Sequence, residues 1–222
     1  MKYLGEFEAF IQKTKIFKRY ILNVRKPPMK ILSFITTLTD TQKELVVKYN
    51  NEIDVKNLDF DEYHRALYIM TRILKPRIVI ETGVFHGYSS FSILLALKEN
   101  NKGYLHSIDL PSPKLPPGKK PGWVVPENLR SRWDLRLGKS SDLLPSLLEE
   151  VKEVDIFLHD SEHSYENMSW EYKTTWNFIR KGGLLLSHDI SQNPAFREFA
   201  KYVSEKYYYM LRNLAGIKRT KD

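Results

Sequence analysis

From about residue 60 onward, the apolar positions change repeatedly between a helical period and short continuous runs. The stretch DEYHRALYIMTRIL spaces its apolar side chains three or four positions apart, which predicts a helix with Asp61 near its start. The next run, RIVIET, is apolar and β-branched, which predicts a buried strand. Further strands are predicted in YLHSIDL, DLRLG, VDIFLHD, GLLLSHDI and twice within YYYMLRNLAGIKRT, and helices in YSSFSILLALKEN, SSDLLPSLLEEV, SYENMSWEYKTTWNFIR and NPAFREFAKYVSEK.

Capping and helix-breaking residues set the expected ends of these helices. Ser164 is expected to cap the helix that the pair Gly182–Gly183 ends. A serine or aspartate is expected to cap the helix before it, with Pro145 in the first turn. Asn193 and Pro194 are expected to begin the last helix.

The regular alternation of strands and helices predicts an α/β fold. Such a chain forms a mostly parallel sheet, here of seven strands, with helices on both faces. Before residue 60 the order is poor: KIFKRYILNVRKPP is basic, partly amphipathic and broken by two prolines. We therefore divide the chain into a basic, mostly helical N-terminal appendage, residues 1–59, and an α/β domain, residues 60–222.

The composition is that of a soluble globular protein. Of 222 residues, 42% are apolar and 28% are charged. Cysteine is absent, which excludes disulfides and thiolate metal ligands and favours a reducing compartment. Charged residues interrupt the N-terminus, and no apolar run is long enough for a membrane span. We therefore expect a cytoplasmic protein without a transmembrane segment.

The net charge of +8 is concentrated in the first thirty residues and in residues 111–139. A basic surface can attract nucleic acid, anionic lipid or acidic saccharides, and it can equally serve to keep a protein in solution. The pattern leaves both interpretations open. We expect no nucleic-acid partner, while peripheral contact with an anionic surface and a homo-oligomeric state stay open.

Polar residues collect where the predicted parallel strands end. Glu81, Asp109, Asp160, His188 and Asp189 each follow or finish an apolar run. In an open α/β sheet, ligands bind outside the carboxyl ends of the strands. The sequence therefore predicts a functional site at this edge.

The segment VIETGVFHGYSS joins the first of these strands to a helix and contains Gly83 and Gly87. Glycine lets a ligand approach the backbone, and a helix N-terminus offers free N–H donors. The spacing differs from the G-x-G-x-x-G of dinucleotide enzymes. Asp109 is placed to accept hydrogen bonds from ribose hydroxyls, and the charge of Glu81 suits a cationic ligand. These features favour a positively charged nucleoside such as S-adenosylmethionine.

Several motifs in order make the chain from about residue 60 resemble the class I S-adenosylmethionine-dependent methyltransferases. They are VIETGVFHGYSS, LHSIDLP, GWVVPENLRSRW, LGKSSDLLPSL, IFLHDSEHSYENM and GGLLLSHDI. Within that superfamily the chain resembles the group that includes macrocin-type sugar O-methyltransferases. The resemblance implies a Rossmann-like fold, S-adenosylmethionine as cofactor and transfer of a methyl group to a hydroxyl.

The resemblance also implies roles for individual residues at the cofactor. Glu81, Gly83 and Gly87 would line the methionine end, and Asp109 would bind the ribose. The residues near the adenine would be Gly138, Ser140 and Asp142. For Ser140 and Asp142, simple helix capping remains an equal alternative.

The motifs HDSEHSY and SHD bring acids and histidines to two strand ends that are adjacent in the implied fold. In metal-dependent relatives, acids at these ends bind a divalent cation such as Mg²⁺ or Mn²⁺, which lowers the pKa of the acceptor hydroxyl. This chain departs from them, because His188 stands where relatives usually have an acid. Three alternatives stay open: Asp160, His188 and Asp189 bind a metal; Asp160 or His163 is a metal-free general base; or the histidines only hold loops.

The segment LPSPKLPPGKKPGWVVPENLRSRW is too long and too rich in proline for a routine connection, which predicts a lid or substrate wall. Trp123 could stack on a sugar or an aromatic ring, as could Trp133, and nearby lysines and arginines favour an anionic neighbour. Packing of both tryptophans in the core is an equal alternative. We expect a saccharide or other small-molecule acceptor.

Two other classes of protein compete with this interpretation. A nicotinamide-dependent oxidoreductase could use a similar sheet, although the glycine spacing disfavours it. A non-catalytic module with a basic binding surface would bind no cofactor at all.

Overall fold

The computed structural model describes residues 40–211 and 213–221, and the first 39 residues of the predicted appendage lie outside that range. The helices are α1 Asp40–Val55, α2 Glu62–Leu74, α3 Tyr88–Glu99, α4 Ser140–Val151, α5 Tyr165–Trp176 and α6 Ala195–Tyr202, with a short 3₁₀ helix at Glu127–Arg132. The strands are β1 Ile78–Thr82, β2 Tyr104–Asp109, β3 Trp133–Leu137, β4 Val154–His159, β5 Ile179–Ser187, β6 Tyr207–Tyr209 and β7 Ala215–Lys218.

The strands form one seven-stranded sheet in the order β3-β2-β1-β4-β5-β7-β6. The first five strands are mutually parallel, and β7 runs antiparallel to both β5 and β6. Strands β2 and β3 follow β1 on one side of the sheet, and β4 then lies on the other side of β1, followed by β5. The predicted mostly parallel, Rossmann-like sheet is confirmed, and its switch point lies between β1 and β4.

Two cores cover the two faces of the sheet, because successive strand residues point to opposite sides. In β1, Val79 joins the core formed with α1, α2 and α3, whereas Ile80 joins the core formed with α4, α5 and α6. Helix α1 contributes the buried side chains of Val46, Tyr49 and Ile53 to the first core. Residues 40–55 therefore pack directly on the sheet domain; the division at residue 60 stays a prediction.

Strand β5 begins earlier than the sequence predicts. The expected helix through Gly182–Gly183 is wrong, since α5 ends at Trp176 and Ile179 already pairs with Val154. The Arg219 guanidinium donates to the carbonyls of Trp176 and Ile179 at 3.0 and 2.7 Å, which stabilises this early end. The glycines lie inside the strand, at an irregularity in its pairing with β4.

The expected cap is confirmed for α5, whereas α6 begins one residue later than predicted, because Pro194 and not Asn193 occupies its N-cap position, without a side-chain cap. Ser164 accepts a hydrogen bond from the backbone N–H of Asn167, and Asn193 accepts one from that of Ala195. Helix α4 differs, because Lys139 occupies the cap position and makes no side-chain cap, and Pro145 lies past the first turn. No helix among the described residues combines the length and hydrophobicity that a membrane crossing requires.

Candidate functional site

The glycine loop between β1 and α3 is pressed between two other segments of backbone. Gly83 has φ of +86°, and a Cβ there would lie 2.0 Å from the carbonyl oxygen of Asp160. Gly87 has φ of +99°, and a Cβ there would lie 2.6 Å from the Cα of Gly122. Side chains are therefore excluded at both positions by conformation and by space. The loop lies in direct contact with the turn after β4 and with the proline-rich segment.

Glu81 lies beneath this loop and is fully buried. Its carboxylate accepts hydrogen bonds from the hydroxyls of Ser89, Ser90 and Ser107 at 2.5, 2.6 and 2.8 Å. Burial outweighs these three hydrogen bonds and raises the pKa of Glu81 to about 7. The side chain thus joins the end of β1 to α3 and β2, and its expected place along the methionine end of a cofactor stays a prediction.

Asp109 ends β2 and faces two adjoining clefts. Its two oxygens accept the backbone N–H groups of Phe85 and Leu110 at 2.7 and 2.8 Å. Burial raises the pKa of Asp109 despite these hydrogen bonds. The carboxylate is therefore held in one orientation at the rim of both clefts, as a ligand-binding acid requires.

The larger cleft has a volume of about 560 Å³ and contains Gly83, Asp109 and Asp160 in its lining. The smaller, of about 260 Å³, is lined by Asp109 together with Gly138 and Ser140. Asp142 does not line either of these two clefts, and its carboxylate accepts a hydrogen bond from Ser141. Of the sequence-predicted cofactor residues, Gly83, Asp109, Gly138 and Ser140 line these clefts, whereas Glu81, Gly87 and Asp142 do not.

The turn after β4 and the end of β5 bring an acid and two imidazoles together. Asp160 Oδ1 lies 3.1 Å from His188 Nδ1 and 3.7 Å from His163 Nε2. Asp189 Oδ2 lies 3.7 Å from Nδ1 of both histidines. Donor atoms of Asp160, His163 and His188 all fall within 4.8 Å of one another, which is close enough to share a metal ion.

Two nitrogens of this cluster are buried without a hydrogen bond. They are Nε2 of His163 and Nδ1 of His188. The 3.1 Å approach of His188 to Asp160 is therefore an electrostatic contact whose angles do not suit a hydrogen bond. Buried polar atoms usually have a hydrogen-bond partner, which can be water or a ligand, so both nitrogens are available to bind one.

The charges of the cluster support each other. Burial raises the pKa of Asp160, but His163, His188 and Tyr63 outweigh it, and the net shift is downward. Burial lowers the pKa of His188, but the carboxylates of Asp160 and Asp189 outweigh it, and the net shift is upward. Asp160 is thus held as a carboxylate, and His188 readily carries a proton.

Tyr63 is a member of this cluster that sequence reasoning missed. Its hydroxyl donates to Asp160 Oδ2 at 2.8 Å, and its ring lies 4.5 Å from that of His188, centre to centre. Burial, followed by the charge of Asp160, raises the pKa of Tyr63 well above its usual value. In the sequence it looks like one more apolar position of α2, and only the packing of α2 against the sheet edge reveals its contact.

The proline-rich segment lies over the glycine loop and holds its two tryptophans differently. Trp123 is 39% exposed, and its indole N–H donates to Nδ1 of His86 at 2.8 Å. Trp133 is packed against the first core and donates to the hydroxyl of Ser107 at 2.9 Å. Of the two alternatives, packing in the core applies to Trp133, whereas Trp123 has an exposed ring face on which a ligand could stack.

One curated protein with a similar sequence is named for a methyltransferase domain. The chain is 30% identical over 126 residues to "Catechol O-methyltransferase domain-containing protein 1" of Mus musculus, a match that covers 56% of this chain. It covers 46% of the mouse protein, so the chain spans about half the length of that curated relative.

Solved structures share the fold at low sequence identity. The Podospora anserina methyltransferase PaMTH1, in a form bound to SAH (S-adenosylhomocysteine), has a TM-score of 0.57 at 14% identity, covering 95% of this chain and 96% of that one. An O-methyltransferase from Bacillus cereus, in complex with SAH, has a TM-score of 0.54 at 14% identity, covering 83% and 95%. A putative O-methyltransferase from Klebsiella pneumoniae has a TM-score of 0.55 at 16% identity, covering 85% and 94%.

A family model described as "Methyltransferase domain" matches residues 80–190. The match begins in β1 and ends just after Asp189, so it contains the glycine loop, Asp109 and the acid and imidazoles of the cluster. On this match, and with the site geometry in agreement, the chain belongs to the methyltransferase-domain family.

Proposed function

We propose that this protein is an S-adenosylmethionine-dependent O-methyltransferase that acts on a hydroxyl of a saccharide or another small molecule. The observation that carries the proposal is the larger cleft, whose lining includes Gly83, Asp109 and Asp160. A methyl donor bound along the first two would lie beside the acid at the end of β4. The solved neighbours that hold S-adenosylhomocysteine support this choice of cofactor.

The residues that line the two clefts can bind the ribose, the methionine end and the adenine of this cofactor. The fixed carboxylate of Asp109 can accept hydrogen bonds from ribose hydroxyls, because only one lone pair of each oxygen is used by the backbone. The glycine loop and the start of α3 offer bare backbone to the methionine end. Gly138 and Ser140 line the smaller cleft, where the adenine would bind.

The proposed reaction needs a proton acceptor at the hydroxyl. The hydroxyl oxygen forms a bond to the methyl carbon while the carbon–sulfur bond breaks and its electron pair stays on sulfur, which neutralises the sulfonium. The hydroxyl proton must leave to a base, for which we propose Nε2 of His163, a buried nitrogen without a hydrogen bond among the described residues. Asp160, 3.7 Å from that nitrogen, would stabilise the imidazolium that forms.

A divalent metal is the second way in which this cluster could act. The cluster offers one carboxylate and two imidazoles, from Asp160, His163 and His188, whereas the expected set was the two carboxylates of Asp160 and Asp189 with the imidazole of His188. Their unpaired nitrogens fit a metal, and two nitrogen donors favour Mn²⁺ or another transition ion over Mg²⁺. A bound ion would lower the pKa of the acceptor hydroxyl.

A third cavity supports a hydroxyl-rich acceptor. It has a volume of about 290 Å³ and lies beside His188, between the start of α2 and the turn from β6 to β7. Its lining includes the carboxylates of Asp61 and Glu62 and the leucines Leu211 and Leu214. Acids can accept hydrogen bonds from sugar hydroxyls, while leucines can pack on the apolar face of a ring.

Titration calorimetry tests the cofactor. We expect the protein to bind S-adenosylmethionine and S-adenosylhomocysteine, to bind NADH no more than weakly, and to lose affinity in Asp109→Ala. Binding of NADH alone would support an oxidoreductase, and no binding of any of the three would support a basic-surface module. A methylation screen with saccharide and phenolic hydroxyl compounds then tests the acceptor, and parallel reactions with a chelator and with added Mn²⁺ or Mg²⁺ separate the metal-dependent route from the metal-free route.

A further inference from the structure

One buried carboxylate holds the glycine loop and the turn of Asp160 together from below. Glu171 belongs to α5 and is fully buried. Its Oε2 accepts the hydroxyl of Thr82 and the Nδ1–H of His159, each at 2.6 Å. Thr82 immediately precedes Gly83, and His159 immediately precedes Asp160. The carboxylate therefore joins the last residue of β1 to the last residue of β4.

The second oxygen of Glu171 extends the same connection to the wall of the clefts. Oε1 accepts the hydroxyl of Ser161 at 2.9 Å and the side-chain amide of Asn167 at 3.3 Å. Ser161 immediately follows Asp160, and both Ser161 and Asn167 line the smaller cleft. One side chain thus contacts both neighbours of Asp160 as well as two residues of the proposed adenine site.

All four partners of Glu171 donate to it, so the arrangement requires two acceptor oxygens. The hydrogen bonds from His159 and Thr82 outweigh burial and lower the pKa of Glu171, which keeps it ionised. The turn has little freedom to move away, because the backbone N–H of Asp160 also donates to the carbonyl of Thr82 at 2.8 Å. A glutamine of the same shape would turn an N–H group toward one pair of donors.

We propose that Glu171 is a positioning residue, which fixes the glycine loop, Asp160 and the wall of the smaller cleft in the geometry that binds the cofactor. The proposal rests on the proposed function, since it assumes that this edge binds S-adenosylmethionine. Glu171 lines none of the three cavities described above and would act only through the residues that it holds.

The test compares Glu171→Gln with a matched change at the other end of the sheet. Asp155 of β4 also joins strands through one carboxylate, which accepts the backbone N–H groups of Arg77 and Ile78 at 2.7 and 2.9 Å. Asp155→Asn should therefore lower stability without changing any residue that lines the clefts. Both variants are examined by thermal unfolding, by calorimetry with S-adenosylhomocysteine and by amide hydrogen exchange of residues 82–87 and 159–164.

We expect Glu171→Gln to weaken S-adenosylhomocysteine binding by about 10- to 100-fold, as the loss of a supporting residue often does. Amide exchange of residues 82–87 and 159–164 should also rise in Glu171→Gln. Asp155→Asn should lose a comparable amount of thermal stability but should leave both the affinity for S-adenosylhomocysteine and the exchange of these segments unchanged. Parent-like affinity and exchange in Glu171→Gln would show that Glu171 is only structural.

Should Glu171→Gln fail to fold, Thr82→Val removes one hydrogen bond and should weaken binding by about 2- to 10-fold; unchanged affinity there would overturn the proposal. Failure of the parent to bind S-adenosylhomocysteine would instead refute the proposed function.

Discussion

The two ends of the parallel sheet use the same residue types, but the pKa of Asp155 at the amino end is shifted in the opposite direction from those of Glu81 and Asp109 at the carboxyl end. At the amino end, Asp155 accepts two backbone N–H groups and the guanidinium of Arg180. Those hydrogen bonds outweigh burial and lower its pKa. At the carboxyl end, Glu81 and Asp109 have raised pKa values, and His163 and His188 each leave a buried nitrogen unpaired.

This difference separates groups that stabilise the fold from groups that are available for chemistry. A carboxylate whose partners are backbone N–H groups and an arginine gains stability in the folded state. An acid forced toward neutrality, or an imidazole without a partner, opposes folding and is tolerated at a functional site. Substitutions at the two ends of the sheet should therefore have different effects on stability and on activity, and the largest expected effect comes first.

The sharpest contrast is between Asp160→Asn and Asp155→Asn, the same change at the two ends of β4. Asp160→Asn should reduce methyl transfer by about 10²–10⁴-fold, because the proposed base His163 loses the carboxylate beside its Nε2 and only Asp189 remains to balance the two imidazoles. Asp155→Asn should leave turnover unchanged and lower stability by about 1.5–3 kcal/mol, the range for hydrogen bonds to a charged group. Steady-state assays and denaturant unfolding check the pair, and equal loss of turnover in both would remove the distinction.

Two glycines with similar backbone angles form the second contrast. At Gly83 an added Cβ would meet the backbone of Asp160, whereas at Gly182, with φ of +81°, the nearest atom is the Arg180 side chain at 3.3 Å. We expect Gly83→Ala to weaken S-adenosylhomocysteine binding by about 10²-fold, since the backbone must separate, and to lower stability as well. Gly182→Ala should show only backbone strain of about 1–2 kcal/mol. Calorimetry that shows parent-like binding in Gly83→Ala would mean that the loop is only a turn.

The contributions of Glu81 and Asp155 to the pH dependence of stability should have opposite signs. Glu81 has an ordinary pKa of 4.5 when exposed and of about 7 in the folded protein, so the folded state binds more protons between these values. Its contribution to stability therefore falls by about 3 kcal/mol as pH rises from 4.5 through 7. The contribution of Asp155 is present above its usual value of 3.8 and is lost as pH falls further. Denaturant unfolding from pH 5 to 8 should show a smaller decline in Glu81→Gln than in the parent; parallel curves would contradict the raised pKa.

The smallest effect concerns the two tryptophans. Trp123→Ala should change stability by less than about 0.5 kcal/mol, because the ring is largely at the surface, and should raise the KM for the acceptor by about 2- to 10-fold. Trp133→Ala should instead lower stability by about 3 kcal/mol through loss of core packing. Affinity for S-adenosylhomocysteine should stay constant in Trp123→Ala, and a loss of it would place Trp123 at the cofactor instead.

Local patterns predicted the order of strands and helices, since β1, β4 and β5 each contain a run of apolar residues and the loops after β1, β2 and α3 contain glycine or proline. The predicted start of β5 was wrong because glycines usually end helices, whereas here α5 ends at Trp176, whose carbonyl accepts a hydrogen bond from Arg219, 43 positions away in sequence. Tyr63 and Glu171 were missed for the same physical reason. Their partners Asp160 and Thr82 are 97 and 89 positions distant, and no periodicity records such a contact.

The near-contact of Gly83 with Asp160 has a thermodynamic consequence for the order of binding. Gly83 packs directly against the Asp160 carbonyl, and the backbone N–H of Asp160 donates to the carbonyl of Thr82 at 2.8 Å, so a shift of one turn is expected to disturb the other. A ligand that fixes one turn therefore removes part of the ordering cost of a ligand at the other. By linkage this effect is reciprocal: the methyl donor should tighten acceptor binding by the same factor by which the acceptor tightens the donor.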